Sequence, residues 1–245
     1  MVNQKKIIIF RKLLYTIIMK KALITGASRG IGRAIAEKLK EEYDLFLICR
    51  NNLALMSDLP GRHYMGDVGD HSFIKDVFDD IDRLDLLINN AGIACYDQIQ
   101  DIVPQKWNEI IDTDLSSIYN TSHFASKIMI HQHSGRMINI SSMWGISGAS
   151  CETAYSAAKG GVNSFTKALA KELAPSGIAV NAIALGVVNT DMNSHLSDSE
   201  KQELIDQIPC GRMAEPSEVA EAVWLLSKMP LYLTGQIIGF DGGFL

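Results

Sequence analysis

The sequence predicts a doubly wound α/β fold: one parallel sheet of about seven strands with helices on both faces. Three observations point there. Short apolar runs recur along the chain from residue 22 onward. Most lack strict polar/apolar alternation, as parallel strands covered on both faces do. Stretches with helical spacing lie between them.

The runs fall at 22–25, 45–49, 63–65, 84–89, 137–140, 178–183 and 237–240. After the first, Ile31, Ala34, Ile35 and Leu39 make an apolar helical stripe. Before the last, Val219, Ala222, Val223 and Leu226 make another. Strands alternating with helices build right-handed crossovers in a parallel sheet. The longest stretch without strand character, 189–215, is expected to form a mobile lid over a pocket. No repeat or Pro/Gly-rich linker interrupts the pattern, so residues 20–245 read as one domain.

Composition narrows the function classes. The 245 residues are 47% hydrophobic and 21% charged, which suits a soluble globular chain and excludes disorder. A net charge of -5 gives no case for nucleic-acid binding. The first 21 residues hold six of the 23 basic side chains and none of the 28 acidic ones. Residues 1–19 read as an N-terminal extension outside the fold, because Met19-Lys20-Lys21 leads like a natural start into the first strand. The apolar runs 7–10 and 13–19 are split by Arg11 and Lys12 and fall short of the roughly 20 residues of a membrane span. No signal-peptide pattern is seen; a short helix lying on a membrane surface is the other reading of this segment. Cys49, Cys95, Cys151 and Cys210 lie far apart with no ligand spacing, so no metal site is expected and the thiols fit a reducing cytoplasm.

The first strand ends in Thr25-Gly26-Ala27-Ser28-Arg29-Gly30-Ile31-Gly32. Glycines let the backbone turn tightly against a pyrophosphate, and the N–H groups opening the next helix stabilise its charge. Gly26, Ser28, Arg29, Gly30, Ile31 and Gly32 are therefore candidate cofactor contacts in a Rossmann-type fold. A glycine-rich turn alone is a weak signal; the G-xxx-G-x-G spacing after Thr25 is more informative. NAD enzymes place an acid after the second strand to bind the ribose 2′-OH. Here that strand is followed by Arg50-Asn51-Asn52. Arg50 and Arg29 suit a 2′-phosphate, which a planar guanidinium binds bidentately, so NADP(H) is the expected cofactor.

Further motifs follow in order: Asp67-Val68, Asn89-Asn90-Ala91-Gly92, Ser142, and Tyr155-Ser-Ala-Ala-Lys159. With the glycine turn they resemble the short-chain dehydrogenase/reductase family over residues 20–245. Stretches 107–119 and 212–226, and Thr234 through Gly243, look most like bacterial 3-oxoacyl-[acyl-carrier-protein] reductases. The resemblance implies roles. Asp67 and Val68 would sit at the adenine. Asn89, Ala91 and Gly92 would floor the cofactor site. Val188 and Thr190 would hold the nicotinamide carboxamide. Ser142, Tyr155 and Lys159 would be the catalytic set, with Tyr155 and Lys159 also touching the cofactor.

The chemistry suits those residue types. Tyr155 and Lys159, four apart, share a helix face. A free tyrosine titrates near 10, too high for easy proton exchange at neutral pH. A nearby ammonium and a positive nicotinamide lower that value. A Tyr-xxx-Lys pair on an arbitrary helix is usually a surface pair; the joint register with Ser142 and the glycine turn makes this one a catalytic candidate.

Three departures from the family pattern stand out. Asp114 replaces an active-site Asn said to help hold a water in the proton relay. It remains a catalytic candidate through its main-chain carbonyl. Leu185-Gly186 replaces Pro-Gly, removing the restraint of a proline ring. The interval from Arg50 to Asp67 is short, trimming the adenine side.

The resemblance implies an NADPH-dependent reduction of a carbonyl to a secondary alcohol, with the substrate carried on acyl carrier protein or CoA. It also implies a homotetramer, a place in fatty acid biosynthesis, and a cytoplasmic location. The expected pocket includes Ser142, Met143, Trp144, Ala149, Ser150, Cys151 and the 189–215 segment. Few basic residues surround it, which weakens the case for an acidic carrier. Two alternatives stand beside it: a reductase of a carbonyl-bearing lysine modification on elongation factor P, and a non-catalytic NADP(H)-sensing regulator.

Overall fold

The computed structural model describes residues 19–194 and 196–245. The expected extension therefore lies, but for Met19, outside the described residues. Seven parallel strands form the sheet: β1 (Lys20–Thr25), β2 (Tyr43–Cys49), β3 (Arg62–Met65), β4 (Leu86–Asn89), β5 (Gly135–Ser142), β6 (Ile178–Leu185) and β7 (Ile237–Phe240), in the order β3-β2-β1-β4-β5-β6-β7. The chain runs outward from β1 to β3, then returns to lay β4 on the other side of β1. That reversal opens a crevice at the carboxyl ends of β1 and β4, where ligands bind in such sheets.

Helices cover both faces. On one, α1 (Gly30–Leu39) packs against α8 (Pro216–Lys228). The apolar stripes anticipated there interlock as Ile35, Leu39, Val219, Val223 and Leu226, all buried. On the other face lie α2 (His71–Asp79), α4 (Ser117–Gln132) and α6 (Thr153–Leu173), burying Ile74, Val77, Met129, Ala170 and Leu173. α3 (Pro104–Ile111) runs into α4 through a π-helical turn, Asp112–Ser116. Such wide turns are rare and gather at functional sites. A single helical turn, α5 (Trp144–Ser147), follows β5, and α7 (Asp198–Asp206) lies between β6 and α8.

Some strand limits differ from expectation. β4 begins at Leu86 rather than 84, because the backbone of Leu84 is taken by the Gln132 side chain, which donates to its carbonyl at 2.8 Å and accepts from its N–H at 2.9 Å. β5 is longer, since its polar residues are buried with partners: Asn139 Nδ2 donates to Thr166 Oγ1 at 2.9 Å and Ser141 Oγ to Asn163 Oδ1 at 2.7 Å. The short adenine side holds only a 3-10 turn, Leu53–Met56, between β2 and β3. The 189–215 segment contains α7, whose start is closed by a reciprocal capping box between Ser197 and Glu200. Its two ends meet, with Asn189 N donating to Ala214 O at 2.8 Å.

Candidate active site

Local geometry at the switch point follows from the glycines. Gly26 turns at φ +68, where a Cβ would lie 2.9 Å from Asn90 Nδ2. At Gly32 a Cβ would come within 2.2 Å of Gly26 O, so only glycine lets α1 approach the turn. Thr25 Oγ1 accepts from Asn90 N at 2.9 Å and Ala91 N at 3.0 Å, stitching the end of β4 to the end of β1. Asn90 Nδ2 returns a bond to Thr25 O at 3.0 Å. The N-cap of α1, Arg29, offers no side-chain cap, and the first turn holds no acid. The opening N–H groups of that helix suit an anion.

One cavity of about 890 Å³ spans the crevice. Its wall includes Gly26, Ser28, Arg29, Gly30, Ile31, Arg50, Asp67, Val68, Ala91, Gly92, Asp114, Ser142, Tyr155, Lys159, Val188 and Thr190. Two expected contacts lie outside that wall. Gly32 is buried behind the turn, as its close approach to Gly26 requires. Asn89 is buried in a polar network, donating to Asn139 Oδ1 at 2.9 Å and accepting from Thr121 Oγ1 at 2.6 Å. Its neighbour Asn90 lines the cavity instead. Of the expected substrate wall, Met143 and Trp144 are present, while Ala149, Ser150 and Cys151 stand outside it.

At the β2 end, the Arg50 guanidinium lies 3.2 Å from Asp67 and 3.4 Å from Glu109. Lys106 shares Glu109 at 3.2 Å. Arg29 is exposed at the rim of the same cavity. An incoming phosphate at Arg50 would share its cation with two carboxylates.

At the other end, Ser142 closes β5 and accepts from Trp144 N at 3.1 Å. It also hydrogen-bonds Tyr155. Lys159 is buried one turn along α6; its Nζ donates to Ile140 O at 3.2 Å and lies 5.5 Å from the Tyr155 ring centroid. The same ammonium is 3.1 Å from Asp114 Oδ2. Asp114 is wholly buried in the π-turn, and its Oδ1 accepts from Ile93 N at 2.8 Å. So the residue standing in the Asn position is engaged here through both side-chain oxygens.

That pairing changes the electrostatics. Burial holds the Asp114 carboxyl above its ordinary range, opposed by Lys159 and the Ile93 N–H. Tyr155 was expected to be lowered by Lys159. Among the protein's own groups it is raised: burial first, then the charge of Asp114, with the Ser142 hydrogen bond acting the other way. The Asp114 carboxylate opposes the ammonium's field at the phenol. The loss of proline at 185 is compensated: Leu185 pairs with both Ser142 and Phe240, and its carbonyl accepts from Met143 N at 2.8 Å.

Sequence reasoning missed several wall residues. Glu152, 9% exposed, is pushed up to about 7 by burial, against a hydrogen bond from Trp144. Tyr96 is pushed up to about 12 by burial and then by Glu152 and Tyr155. Trp144 packs edge-on against Phe244, with centroids 5.5 Å apart, so the C-terminus braces the site. Only Glu152, three residues before Tyr155, left a local signal.

A glycine turn at the switch point of a doubly wound sheet, facing a Ser-Tyr-Lys cluster across one cavity, defines a Rossmann-type oxidoreductase. The family model described as short chain dehydrogenase matches residues 20–201. The chain belongs to the short-chain dehydrogenase/reductase family. It is 40% identical to the uncharacterized oxidoreductase YmfI of Bacillus subtilis, covering 92% of this chain and 98% of that one. It is 38% identical to the 3-oxoacyl-[acyl-carrier-protein] reductase FabG of Escherichia coli, covering 91% and 96%. Among solved structures, a candidate gluconate dehydrogenase from Agrobacterium tumefaciens superposes with a TM-score of 0.87 at 31% identity, covering 92% of this chain and 95% of that one.

Proposed function

We propose that this chain is an NADPH-dependent reductase that converts a carbonyl to a secondary alcohol, with 3-oxoacyl thioesters on acyl carrier protein or CoA as the first substrate class. The observation that carries it is Ser142, Tyr155 and Lys159 lining the same cavity as the uncapped start of α1. Names borne by bacterial relatives supply the substrate class. NADP(H) rather than NAD(H) rests on Arg29 and Arg50 at the rim and on the absence of an acid directly after β2.

The glycine turn and the first N–H groups of α1 hold the pyrophosphate. Arg29 and Arg50 take the 2′-phosphate, while Asp67 and Val68 flank the adenine. Val188 and Thr190 orient the carboxamide. When bound, the nicotinamide supplies the hydride. Ser142 Oγ donates to the substrate carbonyl oxygen and fixes its direction. Tyr155 Oη gives that oxygen its proton as the alcohol forms. Lys159, held between Ile140 O and Asp114, positions the ribose hydroxyls and restores the proton to Tyr155. Burial and the Asp114 charge raise Tyr155, so the phenol carries the proton it gives to the alkoxide in reduction.

Among the described residues no helix is long and apolar enough to cross a membrane. We place the enzyme in the cytoplasm. Exposed Leu225, Met229, Leu231, Tyr232 and Leu245 support a homotetramer built through α8 and the C-terminal segment. The direct test is NADPH oxidation with acetoacetyl-CoA, for wild type and Tyr155→Phe. Turnover that falls by about 10²–10⁴-fold in the variant, with NADPH affinity held within threefold, is the expected result. Retained turnover would refute the role of Tyr155.

A further inference from the structure

Four charged side chains from three parts of the chain meet at the β2 end of the cavity. Arg50 follows β2, Asp67 follows β3, and Lys106 and Glu109 stand one turn apart on α3. All four line the wall. Glu109 lies 59 residues along the chain from Arg50, so only the fold brings them together. Its two oxygens are divided between two cations: Oε1 is 3.4 Å from Arg50 Nη1, and Oε2 is 3.2 Å from Lys106 Nζ. Those cations hold Glu109 below the ordinary carboxylate range, Lys106 more than Arg50.

The two carboxylates here are held differently. Asp67 is anchored in its own turn, where Oδ1 accepts from Gly69 N at 2.8 Å while Oδ2 lies 3.2 Å from Arg50. Glu109 is held by the cations it bridges, through side chains that are 35–47% exposed. Ion pairs so open to water are weak, and a stronger anion displaces the carboxylate. A guanidinium and an ammonium converging on one oxyanion fit a phosphate, which offers similar oxygens and more charge. The balance agrees. With Arg29 at the rim, three cations face two carboxylates. Withdrawal of Glu109 leaves two positive charges in excess, a match for a phosphate monoester of about −1.5 to −2.

We propose that Glu109 is an internal stand-in for the cofactor's 2′-phosphate, that Lys106 is a further cation for that phosphate, and that Glu109 thereby sets how strongly NADPH is preferred over NADH. The proposal rests on the reading of Arg29 and Arg50 as the 2′-phosphate site. In the free enzyme Glu109 keeps Arg50 and Lys106 directed at one point. A phosphorylated ribose must take both cations from it, which lowers affinity. A bare ribose leaves the bridge in place.

Calorimetric titration of the full chain with NADPH, NADH, adenosine 2′,5′-bisphosphate and AMP tests this without turnover. Glu109→Gln keeps the side chain's length and removes its charge. It should tighten NADPH and the bisphosphate by about fivefold, the scale of one exposed ion pair, and move NADH and AMP less than about twofold. Lys106→Gln should weaken NADPH and the bisphosphate by about fivefold and spare the other two. Equal changes in NADPH and NADH overturn the proposal, since a structural brace acts on both. A loss of NADH affinity alone in Glu109→Gln also overturns it and makes Glu109 a ribose ligand. A wild-type preference for NADPH that Glu109→Gln leaves unmoved overturns the proposal while the NADP(H) reading stands. A wild type without preference, in which Glu109→Gln creates one, supports the proposal and refutes that reading. Unaltered binding in Lys106→Gln overturns the part given to Lys106.

Discussion

Replacing Asp114 with asparagine removes one negative charge from a wholly buried position and keeps an oxygen for the Ile93 N–H. Its effect at Tyr155 can be bounded from two distances. The Lys159 ammonium is 5.5 Å from the phenol ring centroid. At an effective dielectric near 20, that favours a phenolate by about 3 kcal/mol. Asp114 Oδ2 is 3.1 Å from the ammonium, so it stands no farther from the ring than those two distances laid end to end. On the same footing its opposing charge is worth at least about 2 kcal/mol, or about one and a half pH units. The assay is kcat/KM for secondary-alcohol oxidation with NADP⁺ across pH, where activity rises as Tyr155 loses its proton. In Asp114→Asn that rising limb should move to lower pH by about one and a half units. Thermal unfolding runs alongside, because stripping one partner from a buried ion pair costs about 3–5 kcal/mol. A folded variant that binds NADP⁺ normally, yet shows an unmoved limb, would refute the idea that Asp114 offsets Lys159 at the phenol.

Three further outcomes are expected. Arg29→Ala with Arg50→Asp should raise the NADPH Kd about tenfold, the low end for charge-assisted bonds because Arg50 already serves Asp67 and Glu109; NADH affinity should change less than threefold by fluorescence titration, and equal losses would count against a 2′-phosphate site. Gly32→Ala forces a Cβ to within 2.2 Å of Gly26 O, so urea unfolding should show a loss of about 1–3 kcal/mol together with weakened cofactor binding. Glu152 is raised from 4.5 to about 7, so its folded form holds a proton that the unfolded chain releases. The associated stability is complete below 4.5 and lost as pH rises through 7. Glu152→Gln should therefore gain on wild type in unfolding free energy between those limits, by about 1–2 kcal/mol once solvent screening in the cavity is allowed for, read by urea unfolding across pH; a pH-independent difference would contradict this.

The sheet was legible because β2, β6 and β7 are nearly unbroken apolar runs, and helices α1 and α8 carry clean stripes. β5 was only half legible. Its Arg136, Asn139, Ser141 and Ser142 look like loop residues until their partners on α6 and beyond are in place. The cofactor turn and the Tyr155–Lys159 pair were visible as spacing, since both chemistries need groups at fixed offsets on one element. The Asp114–Lys159 ion pair was not, because it joins a π-turn to α6 across 45 residues of chain. The same holds for Asn90 on the glycine turn and for Phe244 against Trp144. Such contacts belong to the tertiary fold, and no local pattern carries them.

The segment over the cavity departs after Val188, three residues past the end of β6, and returns at Ala214, two residues before α8, where the two stretches of chain form an isolated parallel bridge. Everything between departs and arrives at the same place. Such a segment behaves as an exchangeable cassette. Its length and sequence can drift, or be grafted from a relative, without shifting the register of β6 or the seating of α8, because closure entropy grows only slowly with length. Variation among descendants of this chain can therefore accumulate in the cassette at little expense to folding, while the Ser142, Tyr155 and Lys159 geometry beneath it stays still.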